Sequence, residues 1–380
     1  MSRFRIPFFR HDLGAPEVEA FAAAVAGSIL TTGDAVAEFE RRFAAGLACE
    51  HAVGVTSCTA ALHLALLGLG IGPGDEVVTT PLTFVATATA ILQAGARPGF
   101  ADVEPDTGNL DVARVADAIT PRTRAILPVH LFGQMCDMRA VRALADRRGL
   151  AVIEDAAHCL EGERDGVRPG ALSDAACFSF YATKSITSGE GGALVTGDAR
   201  LAARLRVLRQ QGLTCGAAER ERRGYRRRDV EVLGWKYNMS NLQAAILLPQ
   251  LARVAGNHAR RTALAARYAD SLAGLAAARA PAVREAVRHA WHLFTVRIAG
   301  AARDAVIGRL EGDGVAVAVH YDPPVHLTSF FRRAFGYAPG AFPEAEAIAA
   351  TTLSLPLYPA MPEEHVDEVV QRLGVALAAR

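Results

Sequence analysis

Residues 174–192 read DAACFSFYATKSITSGEGG and combine a predicted strand, a lysine and a glycine-rich loop. The first part, Ala176 to Tyr181, is rich in aromatic and β-favouring residues and predicts a buried strand. Lys184 follows between small hydroxyl residues. A lysine in this setting suits imine chemistry, because its amine can be desolvated and the nearby donors can hold a phosphate. The alternative is a solvated lysine in a polar loop.

A carboxylate follows another predicted strand, 29 residues before Lys184. The apolar run from Leu150 to Glu154 is typical of a buried parallel strand, and it ends on Asp155. Ligands of open α/β sheets bind beyond the carboxyl ends of the strands, so Asp155 is expected at a ligand site. A lysine for a Schiff base and a carboxylate for a pyridinium nitrogen are the pair that pyridoxal phosphate requires. Taken alone, Asp155 could simply cap the next helix.

Several motifs, in order along nearly the whole chain from about Pro7, resemble the DegT/DnrJ/EryC1/StrS family of fold-type I, pyridoxal-phosphate-dependent sugar aminotransferases. They are TSCTAALHLALLGLGIGPGDEVV (56–78), PLTFVATATAIL (81–92), ILPVHLFGQ (126–134), VIEDAAHCLEG (152–162), SFYATKSITSGEGGALVTGD (179–198) and GWKYNMSNLQAAILLPQL (234–251). The resemblance implies an α/β fold. We expect a large cofactor-binding domain over residues 1–250, with a mostly parallel seven-stranded sheet, and a small C-terminal α/β domain over residues 251–380.

Composition fits a globular enzyme. Apolar residues make up 51% and charged residues 21% of the 380 residues, and the formal net charge is +1. Neither nucleic acid nor an anionic membrane is therefore indicated as a partner. The six cysteines include no CxxC pair, and no apolar run is long enough to span a bilayer. We expect a cytoplasmic protein with reduced thiols.

A phosphate site is predicted where Thr56 to Thr59 opens a helix, because free backbone N–H groups there attract anions. An ordinary Ser/Thr cap is the alternative. The family usually has Ser-Gly-Thr here, with Gly and Thr on the phosphate, and Cys58 replaces that glycine. The resemblance further implies that Phe84 stacks on the pyridine ring and that Ser179 binds the phosphate. Asp155 would pair with the ring nitrogen, and Lys184 would carry the Schiff base.

His158 follows Asp155 at a spacing that also suits metal ligands, but no third ligand stands nearby in the sequence, so we predict no metal. In the family its position, often Gln, hydrogen-bonds the ring hydroxyl. The glycines from Gly68 to Gly74 are not a dinucleotide loop, because they end a helix and precede a strand.

The most basic segment runs from Glu219 to Asp229. A charged run of this kind is usually a solvated loop. This segment precedes GWKYN, whose Asn238 matches the family residue that reaches the partner's phosphate, which implies a homodimer with the active site at its interface. Arg226 and Lys236 are candidates for contacting the diphosphate of a nucleotide-sugar. Near the C-terminus, a segment similar to the family's HY-x-P-x-HL motif places three further residues near the sugar: His320, Tyr321 and His326.

The resemblance implies transfer of an amino group from an amino acid, expected to be L-glutamate, to a nucleotide-linked keto-sugar in a ping-pong reaction. The motifs look closest to the branch that aminates C4 of UDP-4-keto sugars. Dehydratases of the family carry histidine at the lysine position, so Lys184 argues against that reaction. A keto-cyclitol aminotransferase and a non-catalytic regulatory protein with the same fold remain as alternatives.

Overall fold

The structure, a computed structural model, describes residues 3–214, 221, 229–298 and 303–379. Within them the helices are α1 (Ala15–Ala26), α2 (Asp34–Leu47), α3 (Cys58–Gly68), α4 (Ala86–Gln93), α5 (Val112–Ala118), α6 (Met138–Arg148), α7 (Ala199–Leu208), α8 (Asn241–Gln250), α9 (Val254–Leu272), α10 (Arg303–Gly312), α11 (Ser329–Phe335), α12 (Pro343–Thr351) and α13 (Glu363–Ala378). Short 3-10 turns lie at Leu131–Gly133, Leu251–Arg253 and Val325–Leu327. The strands are β1 (His51–Val55), β2 (Glu76–Thr79), β3 (Arg97–Phe100), β4 (Thr123–Leu127), β5 (Ala151–Asp155), β6 (Glu163–Arg164), β7 (Ala175–Ser179), β8 (Gly192–Thr196), β9 (Ala278–Arg279), β10 (Val287–Arg288), β11 (Phe294–Ile298) and β12 (Thr352–Leu355).

Seven strands form the main sheet, in the order β1-β8-β7-β5-β4-β2-β3. Strand β8 runs antiparallel to both of its neighbours, and the remaining pairs are parallel. Parallel neighbours require crossover connections, which explains why helices alternate with strands along this part of the chain. The prediction of an α/β fold with a mostly parallel seven-stranded sheet is confirmed.

Helices cover both faces of this sheet. Along β7, Ala175 and Cys177 face one apolar core and Ala176 and Phe178 face another. Successive side chains of a strand point to opposite faces, so the continuous apolar run is buried on both sides. Helices α3 and α7 contribute to the first core, and α2 and α8 to the second. The sheet is therefore a rigid support for side chains at its edge.

A second sheet, in the order β12-β11-β9, is antiparallel. It shares an apolar core with α9, α10 and α13, and Ile6 from the N-terminal segment enters the same core. Ile6 pairs with Val315 in an isolated bridge. We propose the domain boundary near residues 250 and 251, where α8 passes through a 3-10 turn into α9. None of the helices in the described ranges is long and apolar enough to cross a bilayer.

The carboxyl ends of the parallel strands meet along one edge of the main sheet. Asp155 is the last residue of β5 and Ser179 the last of β7, and these two strands are neighbours. The loop from β7 to β8 carries Lys184, so it begins at the same edge. Ligands of such sheets bind beyond this edge, which places the candidate site there.

Candidate active site

A cavity of about 500 Å³ opens at this edge of the sheet. Such a volume accommodates a small ligand. Of the side chains predicted for the site, those lining the cavity are Cys58, Thr59, Phe84, Asp155, His158, Ser179, Lys184, His320 and Tyr321. The structure thus brings together residues that lie up to 263 positions apart in the chain.

Lys184 stands on a turn, with its backbone N–H donating to the Tyr181 carbonyl at 2.9 Å. Burial lowers the pKa of its amine to about 8, although the negative charge of Asp155 opposes this shift. Desolvation disfavours the charged form of an amine, so a larger fraction of Lys184 is neutral at a given pH than for an exposed lysine. A neutral amine is the form that attacks a carbonyl carbon.

Asp155 is a buried carboxylate, 6% exposed. The Thr87 hydroxyl donates to its Oδ2 at 2.8 Å, and the Ala157 N–H donates to its Oδ1 at 3.1 Å. Burial raises the pKa of this carboxyl, while those hydrogen bonds and the charge of Lys184 lower it. Within the described part of the chain no cationic side chain forms an ion pair with Asp155. The carboxylate therefore has unused capacity to pair with a cation in the cavity.

The start of α3 forms the second wall. The Ser57 hydroxyl caps the helix by accepting the Ala60 N–H at 3.1 Å. Cys58 is the first helical residue, so its backbone φ is negative, as the predicted phosphate contact requires. A Cβ on Gly192 would lie 2.6 Å from the Cys58 nitrogen, so a glycine is needed for β8 to approach this helix end. Thr59, next in the helix, adds a hydroxyl at the cavity wall.

His158 is held by two contacts. The Phe132 N–H donates to its Nδ1 at 3.2 Å, and its Nε2 lies 3.3 Å from the Tyr321 hydroxyl. Burial lowers the pKa of His158 well below the ordinary value, so the ring is neutral. Since Nδ1 accepts, the single ring proton is on Nε2, which faces the cavity side as a hydrogen-bond donor.

His320 and Phe84 complete the cavity mouth. The Nδ1 of His320 lies 2.7 Å from the Ser354 hydroxyl, and its ring stacks on Phe8 with centroids 5.9 Å apart. Phe84 is 59% exposed, and its ring centroid lies 6.1 Å from that of Tyr321. An exposed aromatic ring at a cavity mouth has a free face on which a planar ligand can stack.

Among the described residues, three predicted for the site do not line this cavity: Lys236, Asn238 and His326. Asn238 donates to the Thr32 hydroxyl at 2.8 Å and accepts from the Lys236 ammonium at 2.8 Å. His326 is fully buried, with its Nε2 3.0 Å from Glu346, and its contact with the sugar stays a prediction. Its ring packs against those of Tyr337 and Phe342. Arg226 lies outside the described residues.

Sequence analysis missed three residues that touch the site. His292 Nε2 lies 3.2 Å from Lys184 Nζ, Thr87 bonds Asp155, and Phe8 lines the cavity. Both hydrogen bonds join residues far apart in the chain, and no local spacing indicates such contacts. The described residues contain no group of three or more His, Cys, Asp or Glu side chains arranged to hold a metal ion.

These groups fit pyridoxal phosphate. Lys184 offers an amine of lowered pKa, Asp155 offers a buried carboxylate with no ion pair to the described residues, and the α3 terminus offers N–H groups to an anion. The sheet order and the lysine after β7 thus define a fold-type I pyridoxal-phosphate enzyme. Comparison with known proteins gives the family.

A model of the DegT/DnrJ/EryC1/StrS aminotransferase family matches residues 11–374. The chain is 42% identical over 372 residues to the spore coat polysaccharide biosynthesis protein SpsC of Bacillus subtilis (strain 168), covering 96% of this chain and 95% of SpsC. The PMP form of Spr1654 from Streptococcus pneumoniae superposes with a TM-score of 0.93 at 28% identity, covering 98% of this chain and 99% of Spr1654. A PLP form of Spr1654 has a TM-score of 0.92.

DesI, solved in the presence of its TDP-sugar product, superposes with a TM-score of 0.88 at 33% identity, covering 99% of this chain and 94% of DesI. The chain belongs to the DegT/DnrJ/EryC1/StrS aminotransferase family. It is a pyridoxal-phosphate-dependent sugar aminotransferase, and the predictions of family, enzyme class and cofactor are confirmed.

Proposed function

We propose that the protein transfers an amino group from an amino acid, expected to be L-glutamate, to a nucleotide-linked keto-sugar in a ping-pong reaction. The acceptor class is a UDP- or other NDP-4-keto-6-deoxy sugar. The observation that carries this proposal is the Lys184 amine facing the same cavity as the unpaired carboxylate of Asp155. The choice of a nucleotide-sugar is supported by DesI, whose own product is a TDP-sugar.

Lys184 has two tasks in this proposal. Its amine holds the cofactor between turnovers, and once displaced it moves the proton from the donor's Cα. Both tasks need an amine that alternates between neutral and protonated forms near neutral pH. A pKa of about 8 matches that requirement, because a proton-transfer group works best when its pKa lies near the operating pH.

Asp155 has an electrostatic task. Pyridoxal phosphate supplies an aldehyde carbon for amines and a ring that accepts electrons, and that ring accepts them best when its nitrogen is protonated. A carboxylate next to this nitrogen favours the protonated ring. Thr87 and the Ala157 N–H hold the carboxylate in position from the protein side, leaving its cavity side for the ring.

The other cavity residues bind and orient the cofactor. We assign the phosphate to the N–H groups of Cys58 and Thr59 and to the hydroxyls of Thr59 and Ser179, because all three residues line the cavity. His158 would donate its Nε2–H, which now faces the Tyr321 hydroxyl, to the hydroxyl of the cofactor ring. Phe84, whose own ring is exposed, would stack on the cofactor ring.

His320 and Tyr321 lie at the mouth of the cavity, and we assign them to the sugar. Their ring nitrogen and hydroxyl can bond sugar hydroxyls. The cavity wall has no arginine among its described residues, so the diphosphate needs a cation from elsewhere. Lys236 supplies an ammonium near Asn238 and is our candidate.

We propose a homodimer in which Asn238 and Lys236 of one chain complete the phosphate and diphosphate contacts of the other. Asn238 does not line its own cavity, yet it matches the position at which family members reach across the interface. Large apolar side chains remain exposed on α1, just after it and before the GWKYN segment, as expected for a surface that another chain covers; they are Val18, Val25, Leu30, Val230 and Leu233.

The dimer is tested by mixing two inactive variants. Lys184→Ala lacks the amine, and Asn238→Asp places a negative charge on the shared phosphate site. A hybrid dimer has one site with both native residues, so subunit exchange should restore up to about one quarter of the wild-type activity in an equal mixture. If both variants fold and exchange but the mixture remains inactive, the shared site is wrong.

The substrate is tested by incubating the holoenzyme with glutamate and a panel of UDP- and TDP-linked 4-keto and 3-keto sugars and keto-cyclitols. We expect an amino group, detected by product NMR, on a nucleotide-linked 4-keto sugar. Turnover of keto-cyclitols alone would contradict the proposed acceptor class.

A further inference from the structure

We propose that His292 is a positioning residue for Lys184: its Nε2 accepts a hydrogen bond from the lysine amine and holds that amine toward the active-site cavity. This inference rests on the proposed role of Lys184. The contact is direct, with 3.2 Å between His292 Nε2 and Lys184 Nζ.

His292 is positioned through a contact of its ring and through its backbone. Its ring centroid lies 4.4 Å from that of His158, and the residue is 9% exposed. Its backbone lies against the 3-10 turn Leu131–Gly133, where the Leu293 N–H donates to the Phe132 carbonyl at 3.2 Å. A Cβ on Gly133, whose φ is +114°, would lie 3.1 Å from the His292 nitrogen. The glycine is therefore required for this close approach.

The direction of the hydrogen bond follows from the charges. With a pKa of about 8, most Lys184 amines are ammonium groups at pH 7, and an ammonium has three donors and no lone pair. Burial lowers the pKa of His292 well below its ordinary value, so the imidazole is neutral and can accept. The titratable and charged groups that face this pair are Asp155 and Cys58 on the lysine side and His158, His320 and Arg261 on the histidine side.

A second cavity beside Lys184 offers its amine another direction in which to point. It has room for about one water molecule, roughly 30 Å³, and it also borders Lys184 and His292. The other side of this small cavity carries polar groups that could accept from the amine; they include Thr187, Gln250 and Asn257. Without His292 the flexible lysine side chain could turn toward these groups and away from the active-site cavity. The imidazole supplies an acceptor on the productive side.

The test measures the pKa of Lys184 in the full-length protein freed of cofactor. An amine-directed reagent is applied between pH 5 and pH 10, and labelling of the Lys184 peptide is quantified by mass spectrometry. We expect a midpoint near the pKa of about 8 in the wild type. His292→Leu removes an acceptor of the charged form and should lower the midpoint by about one pH unit. His292→Gln keeps an acceptor, so its labelling midpoint should stay within about 0.3 pH units of the wild-type midpoint.

The matched control is His289→Gln, which replaces a buried histidine three residues earlier that lies outside the active-site cavity. It should leave the midpoint unchanged. An unchanged or raised midpoint in His292→Leu, or equal shifts in the Leu and Gln variants, would overturn the proposal. Thermal unfolding checks the fold, and His292→Met gives the same comparison if the Leu variant does not fold. Borohydride reduction with pyridoxal phosphate tests the role of Lys184 separately, so failure there would not be confused with failure of the histidine contact.

Discussion

Glu154 and Asp155 are adjacent acidic residues at the end of β5, and both are buried. Asp155 lines the active-site cavity, whereas Glu154 lies among other groups of the protein. Successive strand residues point to opposite faces. The Cys136 N–H donates to His130 Nδ1, so His130 carries its proton on Nε2 and donates it to Glu154 at 2.6 Å. Glu154 also accepts the Gly170 N–H at 2.8 Å and the Ser173 hydroxyl. Asp155 faces the cavity and accepts from three neutral donors, the Thr87 hydroxyl, the Ala157 N–H and the Cys58 thiol.

The difference separates a structural carboxylate from a functional one. Glu154 has its partners within the protein, so its contribution is to the stability of the fold. Asp155 is buried at a cost that the protein recovers when a cation binds in the cavity. Burial alone therefore does not identify a site carboxylate. The two carboxylates differ in that Asp155 lines the active-site cavity, whereas Glu154 does not.

The largest expected effect on the cavity side is from Lys184→Ala. Removing the amine should lower kcat by more than about 10⁴-fold, because both the attachment of cofactor and the proton transfer depend on it. The variant should unfold at nearly the wild-type temperature, since a half-buried lysine in a cavity contributes little packing. Steady-state assay with the best keto-sugar and a thermal melt give the two readouts. Substantial turnover by this variant would refute the mechanism.

Glu154→Gln should do the opposite: it should lower the stability of the fold and leave kcat nearly unchanged. The amide places a donor against His130 or the Gly170 N–H, so at least one buried donor loses its acceptor. We expect a loss of about 2–4 kcal/mol in the free energy of unfolding, measured by denaturant titration, and a change in kcat of less than about threefold. A large loss of kcat with unchanged stability would show that Glu154 takes part in the reaction and would contradict the proposed difference between Glu154 and Asp155.

The smallest expected effect concerns His158. His158→Gln retains a donor for the ring hydroxyl and should lower kcat by less than about tenfold, whereas His158→Leu removes the donor and should be the weaker enzyme of the two. Comparing kcat and cofactor affinity of the two variants isolates the hydrogen bond from the loss of packing. Equal defects in both variants would mean that the imidazole acts in some other way.

Much of the fold was predictable because the signal is local. The strands that carry Asp155 and precede Lys184 were predicted within about two residues of their observed ends. Apolar runs, glycines and helix periodicity all report on nearby residues. Asp155 and Lys184 could be paired from sequence, since both follow strands whose carboxyl ends share one edge.

The parts that sequence analysis missed depend on contacts between distant residues. His292 reaches Lys184 from 108 positions away, and Thr87 reaches Asp155 from 68 positions away. The surroundings of His326 could not be predicted either. Its motif indicated a sugar contact, but the surrounding apolar residues and Glu346 hold it inside the protein. Burial of a single histidine depends on tertiary packing that no short pattern reports.

The most direct test of the central claim is the turnover of Asp155→Asn, measured together with its cofactor content. The amide fits the same space and can accept from Thr87, but it cannot favour a protonated ring nitrogen. We predict that the variant binds pyridoxal phosphate, seen by its absorbance, and that kcat falls by about 10³-fold or more. A cofactor-loaded Asp155→Asn enzyme with kcat within about tenfold of wild type would show that this carboxylate does not have the assigned role.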